Sequence, residues 1–95
     1  MDCIFNVKLI RPMDVSDFVA TASSCPKEIE IIASHGKYDV DARSIMGMFS
    51  LNLSEPITIT MSGETNLLNT YSKVFDKWSV EEWAVILYQT LIYTV

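Results

Sequence analysis

The sequence contains few side chains that could form a nucleophilic or metal-binding site. It has one histidine, His35, and two cysteines, Cys3 and Cys25, which lie far apart along the chain. The cysteines form neither a CxxC pair nor a disulfide framework, and one histidine is too few for a zinc site. We therefore expect both cysteines to be small, buried thiols of a cytoplasmic protein and His35 to be a solvated turn residue.

The paired carboxylates are also better explained by structure than by catalysis. Glu28 and Glu30, and likewise Asp39 and Asp41, are two residues apart on predicted strands. This spacing places each pair on one face of its strand, as expected for a solvated sheet face. The three glycines do not form a phosphate-binding loop. The sequence therefore predicts neither an enzyme nor a metal or cofactor site.

Length and charge narrow the possible partners. The 95 residues fit one domain, and the formal net charge is −5, with seven scattered Lys and Arg residues. A chain without a basic stripe is not expected to bind nucleic acid, and an acidic surface is repelled by anionic lipid. No apolar run reaches the roughly 20 residues that span a bilayer, and no leader peptide is recognisable. We expect a cytoplasmic protein.

The hydrophobic pattern predicts seven elements in the order β-α-β-β-α-β-α. Apolar residues alternate in four segments, and helical spacing occurs after Asp14, the expected N-cap of the first helix. Gly36 lies in a predicted hairpin turn. The predicted strands are Cys3–Ile10, Glu28–Ala33, Tyr38–Ala42 and Ile57–Met61, and the predicted helices follow Asp14, Ser44 and Gly63. An additional helix is predicted after Ser79. The fold class is α+β, an open-faced sandwich with helices on one face of a four-stranded antiparallel sheet.

Ser44 begins the most unusual segment. It is placed to cap a short helix over residues 45–53 that is rich in large apolar side chains and almost free of charge. Because Ile45 and Met46 are adjacent, one helix face cannot bury all of these side chains. Leu51 and Leu53 lead into the next strand and are the better candidates for the core. Either all of these residues are core, or some of them form an exposed contact surface, which we favour.

The last part of the chain is treated as an addition to a domain spanning residues 1–78. Ser79 and Glu82 have the spacing of a capping box, and the following residues are apolar around most of a helix. Such a helix, over residues 79–95, needs cover on more than one side. A homodimer, an exchanged helix or a partner groove would supply it, and packing on the chain's own surface is an equal alternative.

The segment Asp41-Ala42-Arg43-Ser44-Ile45-Met46-Gly47, followed by Ser50-Leu51-Asn52-Leu53 and Ile57-Thr58-Ile59-Thr60, resembles one known family. Together with the element order, it is similar to HPr, the phosphocarrier protein of the bacterial sugar phosphotransferase system. Weaker similarity covers Phe18 to Ile31, so that the resemblance extends from about Cys3 to Trp78. It implies the open-faced α+β sandwich predicted above.

The family's phosphate-carrying histidine is missing. The resemblance places Arg11 or Met13 at that position, in the stretch Ile10 to Asp14. We therefore expect carrier chemistry to be absent. A phosphocarrier that uses an unconventional acceptor, either His35 or Asp14, is the alternative.

The resemblance also implies a regulatory serine and a docking patch. Ser44 matches the serine that HPr kinase phosphorylates, although a role as helix cap alone is favoured slightly over phosphorylation. Ile45, Met46 and Phe49 match the residues that dock partner proteins, so a kinase of this type or a transcriptional regulator is an implied partner. The preferred function is a non-catalytic protein-interaction module acting through the Ser44 helix. The alternatives are the unconventional phosphocarrier and a module that oligomerises through its C-terminal helix.

Overall fold

The computed structural model describes residues 2–81 and shows an α+β fold built on an antiparallel sheet. The elements, in chain order, are β1 (Asp2–Val7), α1 (Pro12–Ser24), β2 (Glu30–His35), β3 (Tyr38–Asp41), α2 (Ile45–Phe49), β4 (Ile57–Ser62), α3 (Thr65–Tyr71), a 3₁₀ helix (Ser72–Trp78) and β5 (Ser79–Val80). The predicted order of the first six elements is confirmed.

The sheet has five strands, in the order β3-β2-β4-β1-β5, so the prediction of four strands was wrong. The additional strand, β5, pairs antiparallel with β1, with Asn6 opposite Val80 and Val7 opposite Ser79. Two residues are too few to produce an alternating pattern, so the sequence did not reveal this strand.

Strand β5 also changes where the last predicted helix can begin. A helix capped by Ser79 requires Val80 in helical conformation, whereas Val80 is paired with β1. The Ser79 hydroxyl donates a hydrogen bond to the carbonyl of Phe75 (3.3 Å). The helix therefore does not start at Ser79, and the remainder of that prediction, residues 82–95, lies outside the described residues.

One hydrophobic core joins the sheet and the helices. Strand β4 shows the alternation most clearly, because Ile57, Ile59 and Met61 are buried while the residues between them are only half-buried. The helices add their apolar residues to the same cluster. The core is completed by Val7, Leu9, Val15, Phe18, Ala22, Cys25, Ile29, Ile31, Ala33, Ala42, Met48, Leu51, Leu68, Phe75 and Trp78.

Aromatic contacts connect the first and last parts of this core. The ring of Phe18 on α1 lies 4.8 Å from that of Phe75 and 5.3 Å from that of Trp78. Phe5 on β1 stacks on Phe75 at 5.9 Å. Such pairs add about 0.5–1.5 kcal/mol each beyond the area that they bury. They fix the 3₁₀ helix over β1 and α1, and so determine where β5 meets the sheet.

The β2–β3 hairpin closes through a two-residue loop after His35, which pairs with Tyr38. Gly36 has a φ of 61°, a conformation that favours glycine, and this confirms the predicted turn. Tyr38, the first residue of β3, is 74% exposed. It lies at the end of the hairpin, beyond the reach of the core.

Candidate functional site

Ser44 caps helix α2, as the sequence predicted. Its backbone is extended (φ −99°, ψ 113°), and its side-chain oxygen accepts a hydrogen bond from the Gly47 amide at 3.0 Å. The Met48 amide bonds to the Ser44 carbonyl at 2.9 Å. The Ser44 residue itself is exposed, so the hydroxyl is both a structural cap and open to solvent.

Helix α2 is shorter than predicted, ending at Phe49 instead of Leu53. Gly47 lies in its middle, although glycine costs about 1 kcal/mol in a helix interior. A Cβ at this position would lie 3.1 Å from the Ser44 Oγ and 3.2 Å from the Cβ of Val40. Any larger residue would therefore require Ser44 or Val40 to shift by a few tenths of an ångström, because α2 lies so close to its own cap and to strand β3.

Arg43 fixes the beginning of α2 against the loop that follows α1. Its guanidinium donates to the carbonyls of Ile29 and Pro26, both at 2.9 Å, and to that of Cys25 at 3.4 Å. The Arg43 amide also bonds to the Asp41 carboxylate at 2.9 Å. This role of Arg43 could not be foreseen, because nothing in a linear sequence reveals which carbonyls a side chain will reach.

A second contact fixes the segment that follows α2. The Lys8 ammonium donates to the carbonyl of Leu53 at 2.9 Å, so this segment lies beside the loop that precedes α1. Arg43 lies near the end of α1, and Leu53 lies near its beginning. The segment around α2 is therefore held on both sides, by Arg43 before the helix and by Lys8 after it.

The apolar residues of α2 divide between core and surface. Met48 is fully buried, and Leu51 is 6% exposed. By contrast, Met46 is 82% exposed, Phe49 49% and Ile45 39%. We call the last three residues, together with Ser44, the Ser44 surface. The predicted outward orientation of these three side chains is confirmed. The burial of Leu51 is confirmed too, whereas Leu53 is only half-buried.

Helix α1 begins at Pro12, with Arg11 as its N-cap residue, so the prediction that Asp14 is the N-cap was wrong. Proline suits the first helical position because its φ is preset and it has no amide hydrogen to satisfy. Asp14 lies in the first turn, and its carboxylate accepts the amides of Arg11 (3.0 Å) and Ile10 (3.2 Å). Its hydrogen bonds from the Arg11 amide and guanidinium hold the pKa of Asp14 below its usual range.

Arg11 and Met13, which the resemblance to HPr places at the missing histidine, are both on the surface. Arg11 is paired with Asp14 at 3.2 Å, and Met13 is 66% exposed. Ile10, just before them, is 79% exposed. Ile10 and Met13 are thus two apolar side chains exposed to water around the start of α1. Ile10 was predicted as the last residue of the first strand, and its exposure was not foreseen.

His35 is not the solvated turn residue that was predicted. Its Nε2 lies 2.9 Å from a carboxylate oxygen of Glu55, and both side chains are largely covered, with 25% and 13% exposed. The pair joins the end of β2 to the loop before β4, across 20 residues of sequence. This contact orients the imidazole and fixes one ring nitrogen, and it connects His35 to the sheet scaffold instead of to α1.

The two cysteines differ in environment. Cys25 is buried, and burial raises the pKa of its thiol, although the nearby Arg43 acts in the opposite direction. Cys3 is half-buried on β1. Within residues 2–81, no three His, Cys, Asp or Glu side chains are close enough together to hold a metal ion. None of the helices in this part of the chain has the length and hydropathy to cross a membrane.

Comparison with known proteins gives no relative: no protein-family model and no curated protein matches the sequence.

Proposed function

We propose that this chain is an HPr-like, non-catalytic module of the cytoplasm that binds another protein through the Ser44 surface. The observation that carries the proposal is the exposure of three large apolar side chains, Ile45, Met46 and Phe49, on a helix of only five residues. Leaving such residues in water on a small helix gains nothing for folding, whereas burying them against a partner is favourable.

The way in which α2 is fixed supports binding by a preformed surface. Arg43 holds one end of the segment, Lys8 holds the other, and the buried Met48 anchors its middle. A surface that is already ordered loses little conformational freedom when it binds. Methionine adds adaptability, because its flexible, polarisable side chain fits partners of different shape.

The relationship to HPr rests on the motif around Ser44 and on the order of the elements. An antiparallel sheet that contributes one apolar face to a core shared with the helices is compatible with the open-faced sandwich that the relationship implies. The proposed partners are accordingly a kinase of the HPr kinase type or a transcriptional regulator.

Two contacts disfavour the alternative of an unconventional phosphocarrier. The Asp14 carboxylate accepts bonds from two amides and one guanidinium, which lower its pKa and reduce its nucleophilicity. His35, at the end of β2, is paired with Glu55 in the loop before β4. Among the described residues, both groups are thus already engaged in hydrogen bonds that a phosphoryl group would have to replace.

Intact-mass spectrometry separates these functions. The protein and its Ser44→Ala variant are incubated with HPr kinase and ATP, and separately with enzyme I and phosphoenolpyruvate. A single phosphate from the kinase that is absent in Ser44→Ala establishes a regulatory relative. Phosphate from enzyme I refutes the non-catalytic proposal. Because alanine also removes the cap, Ser44→Asn serves as the control, since it keeps a capping oxygen without the hydroxyl.

A further inference from the structure

Strand β3 is the last strand on one side of the sheet. It pairs with β2 along one of its sides, from Ile32 opposite Asp41 to His35 opposite Tyr38. No other described strand lies beside its second side. The chain enters β3 from the turn at Gly36 and leaves it towards α2, so both ends of the strand lie within the described residues. An edge of this kind carries unpaired backbone groups with which another strand can pair.

The hydrogen bonds on the paired side identify the backbone groups that point to the free edge. The Ala42 amide, just after the strand, bonds to the carbonyl of Ile31 in β2 at 3.0 Å. Alternate residues of a strand direct their amide and carbonyl groups to the same side, so those of Asp39 and Asp41 point away from β2. The Asp41 carbonyl accepts the Ser44 amide at 2.9 Å. Within residues 2–81, three groups therefore point to the free edge without a partner: both backbone groups of Asp39 and the Asp41 amide.

The edge is held in place by its surroundings. Val40 packs against the core, and α2 approaches β3 so closely that a Cβ added to Gly47 would lie 3.2 Å from the Cβ of Val40. The Asp41 carboxylate accepts the Arg43 amide at 2.9 Å and so fixes the turn that ends the strand. A preformed edge loses little conformational freedom when a partner binds.

The side chains along the edge differ between the two faces of the sheet. Val40 lies on the core face, opposite the buried Ala33, and Tyr38 lies on the same face with 74% of its area exposed. Asp39 and Asp41 lie on the outer face, and both are exposed. An added strand would place alternate side chains beside the two aspartates and the others beside Tyr38 and Val40.

We propose that this edge is a docking site for an extended segment of another protein that has Lys or Arg at alternate positions and apolar residues between them. Opposite charges that face each other on neighbouring strands attract, so a basic side chain opposite Asp39 or Asp41 is favoured. The formal net charge of −5 also attracts such a segment from a distance. Main-chain hydrogen bonds supply affinity, and the alternating side chains supply specificity. This site does not depend on the Ser44 surface.

The same charges exclude a second copy of this chain as the occupant. Every antiparallel register that joins the open groups of two β3 strands sets one aspartate opposite another. Like charges in such positions destabilise the pairing. Charged side chains on short edge strands are a known means of preventing a protein from pairing with itself. The edge therefore disfavours self-association and favours a basic partner.

Titration with a defined peptide tests the docking site. The probe is acetyl-Lys-Val-Lys-Val-Lys-amide, and binding to the full-length chain is followed by the NMR shifts of the Asp39 and Asp41 amides. One control peptide has glutamate in place of each lysine, and the other carries an N-methyl group on the central lysine, which removes a backbone donor that faces β3. The probe is expected to bind at least about tenfold more tightly than either control. Equal binding of the three peptides, or no binding of the probe at about 5 mM, overturns the proposal.

Two charge reversals separate pairing at the edge from general attraction to an acidic protein. Asp39→Lys reverses a charge on the edge, and Asp17→Lys makes the same change at an exposed position of α1. Asp39→Lys is expected to weaken binding of the lysine peptide by at least about threefold, and Asp17→Lys by less than about twofold. Equal losses in the two variants overturn the proposal.

Amide hydrogen exchange tests whether the edge is free and whether the peptide fills it. In the protein alone, the Asp39 amide is expected to exchange within about tenfold of the rate in an unstructured peptide, and saturating lysine peptide should slow it at least about tenfold. Val40 is the internal reference, because β2 protects its amide in both states. Protection of Asp39 in the protein alone, or no added protection by the peptide, overturns the proposal.

Discussion

Helix α2 has a buried and an exposed side, so replacing each of two nearby methionines by alanine should change the free energy of unfolding by very different amounts. Met48 is fully buried, and Met46 is 82% exposed. Met48→Ala removes three heavy atoms from the core. At about 0.8 kcal/mol for each buried methylene-sized group, the transfer loss is about 2.4 kcal/mol. The cavity left behind brings the expected destabilisation to about 3 kcal/mol, within the range of about 2–5 observed for such changes.

Met46→Ala is the matched control, because it makes the same chemical change on the same helix. It removes atoms that are already in water, so its effect on the free energy of unfolding should stay within about 0.5 kcal/mol. The assay is equilibrium unfolding in urea, with the slope m compared between variants to confirm that the unfolding transition remains two-state. In thermal unfolding, Met48→Ala should lower Tm by about 12–24 °C. Equal destabilisation by the two variants would refute the assignment of core and surface on α2.

Three further predictions follow from individual contacts. Arg43→Lys should lower the free energy of unfolding by about 2 kcal/mol, because an ammonium cannot reach all three carbonyls that the guanidinium contacts. An unchanged midpoint of urea unfolding would contradict this prediction. Asp14 has a lowered pKa in the folded state, so the stability it contributes is present above its unfolded pKa of about 3.9 and is lost as the pH falls through the folded value. The Asp14→Asn variant should therefore have a lower free energy of unfolding than the wild type at pH 7, and urea titrations should show this difference shrinking below about pH 5. A difference that does not change with pH would contradict the coupling between the Asp14 pKa and stability. The Cys25 thiol, buried and with a raised pKa, should react with a disulfide reagent at pH 8 at least about tenfold more slowly in the folded protein than in urea, and similar rates would show that it is accessible.

The sequence predicted those parts of the fold in which one residue type repeats at a regular interval. Strand β4 and the hairpin turn at Gly36 were recognisable because alternation and a glycine with positive φ depend on local physics. Strand β5 was not recognisable. Its two residues join the sheet because the aromatic packing of Trp78 on Phe18 brings the chain beside β1, which is a property of the folded molecule.

Only part of the candidate site could be predicted from the sequence. The cap at Ser44 follows from residue type. The rule that adjacent residues cannot share one helix face predicts that some apolar residues of α2 are exposed, whereas the choice of Ile45, Met46 and Phe49 is what the resemblance to HPr implied. The contacts that hold α2, made by Arg43 and Lys8, join positions separated by 14 to 45 residues. Glu55, the partner of His35, is 20 residues away from it in the sequence. These contacts depend on how the elements pack, which residue spacing does not encode.

The central proposal is that the Ser44 surface binds a protein. Its most direct test is calorimetric titration of the full-length chain with purified HPr kinase and, separately, with a transcriptional regulator that binds HPr. Met46→Glu should weaken binding to either protein by at least about tenfold, since it places a charge within a desolvated apolar contact. Tyr38→Glu should leave binding unchanged, because Tyr38 lies on β3, outside the Ser44 surface, although its exposure is similar to that of Met46. Binding that survives Met46→Glu, or no binding to either protein, would contradict the proposal.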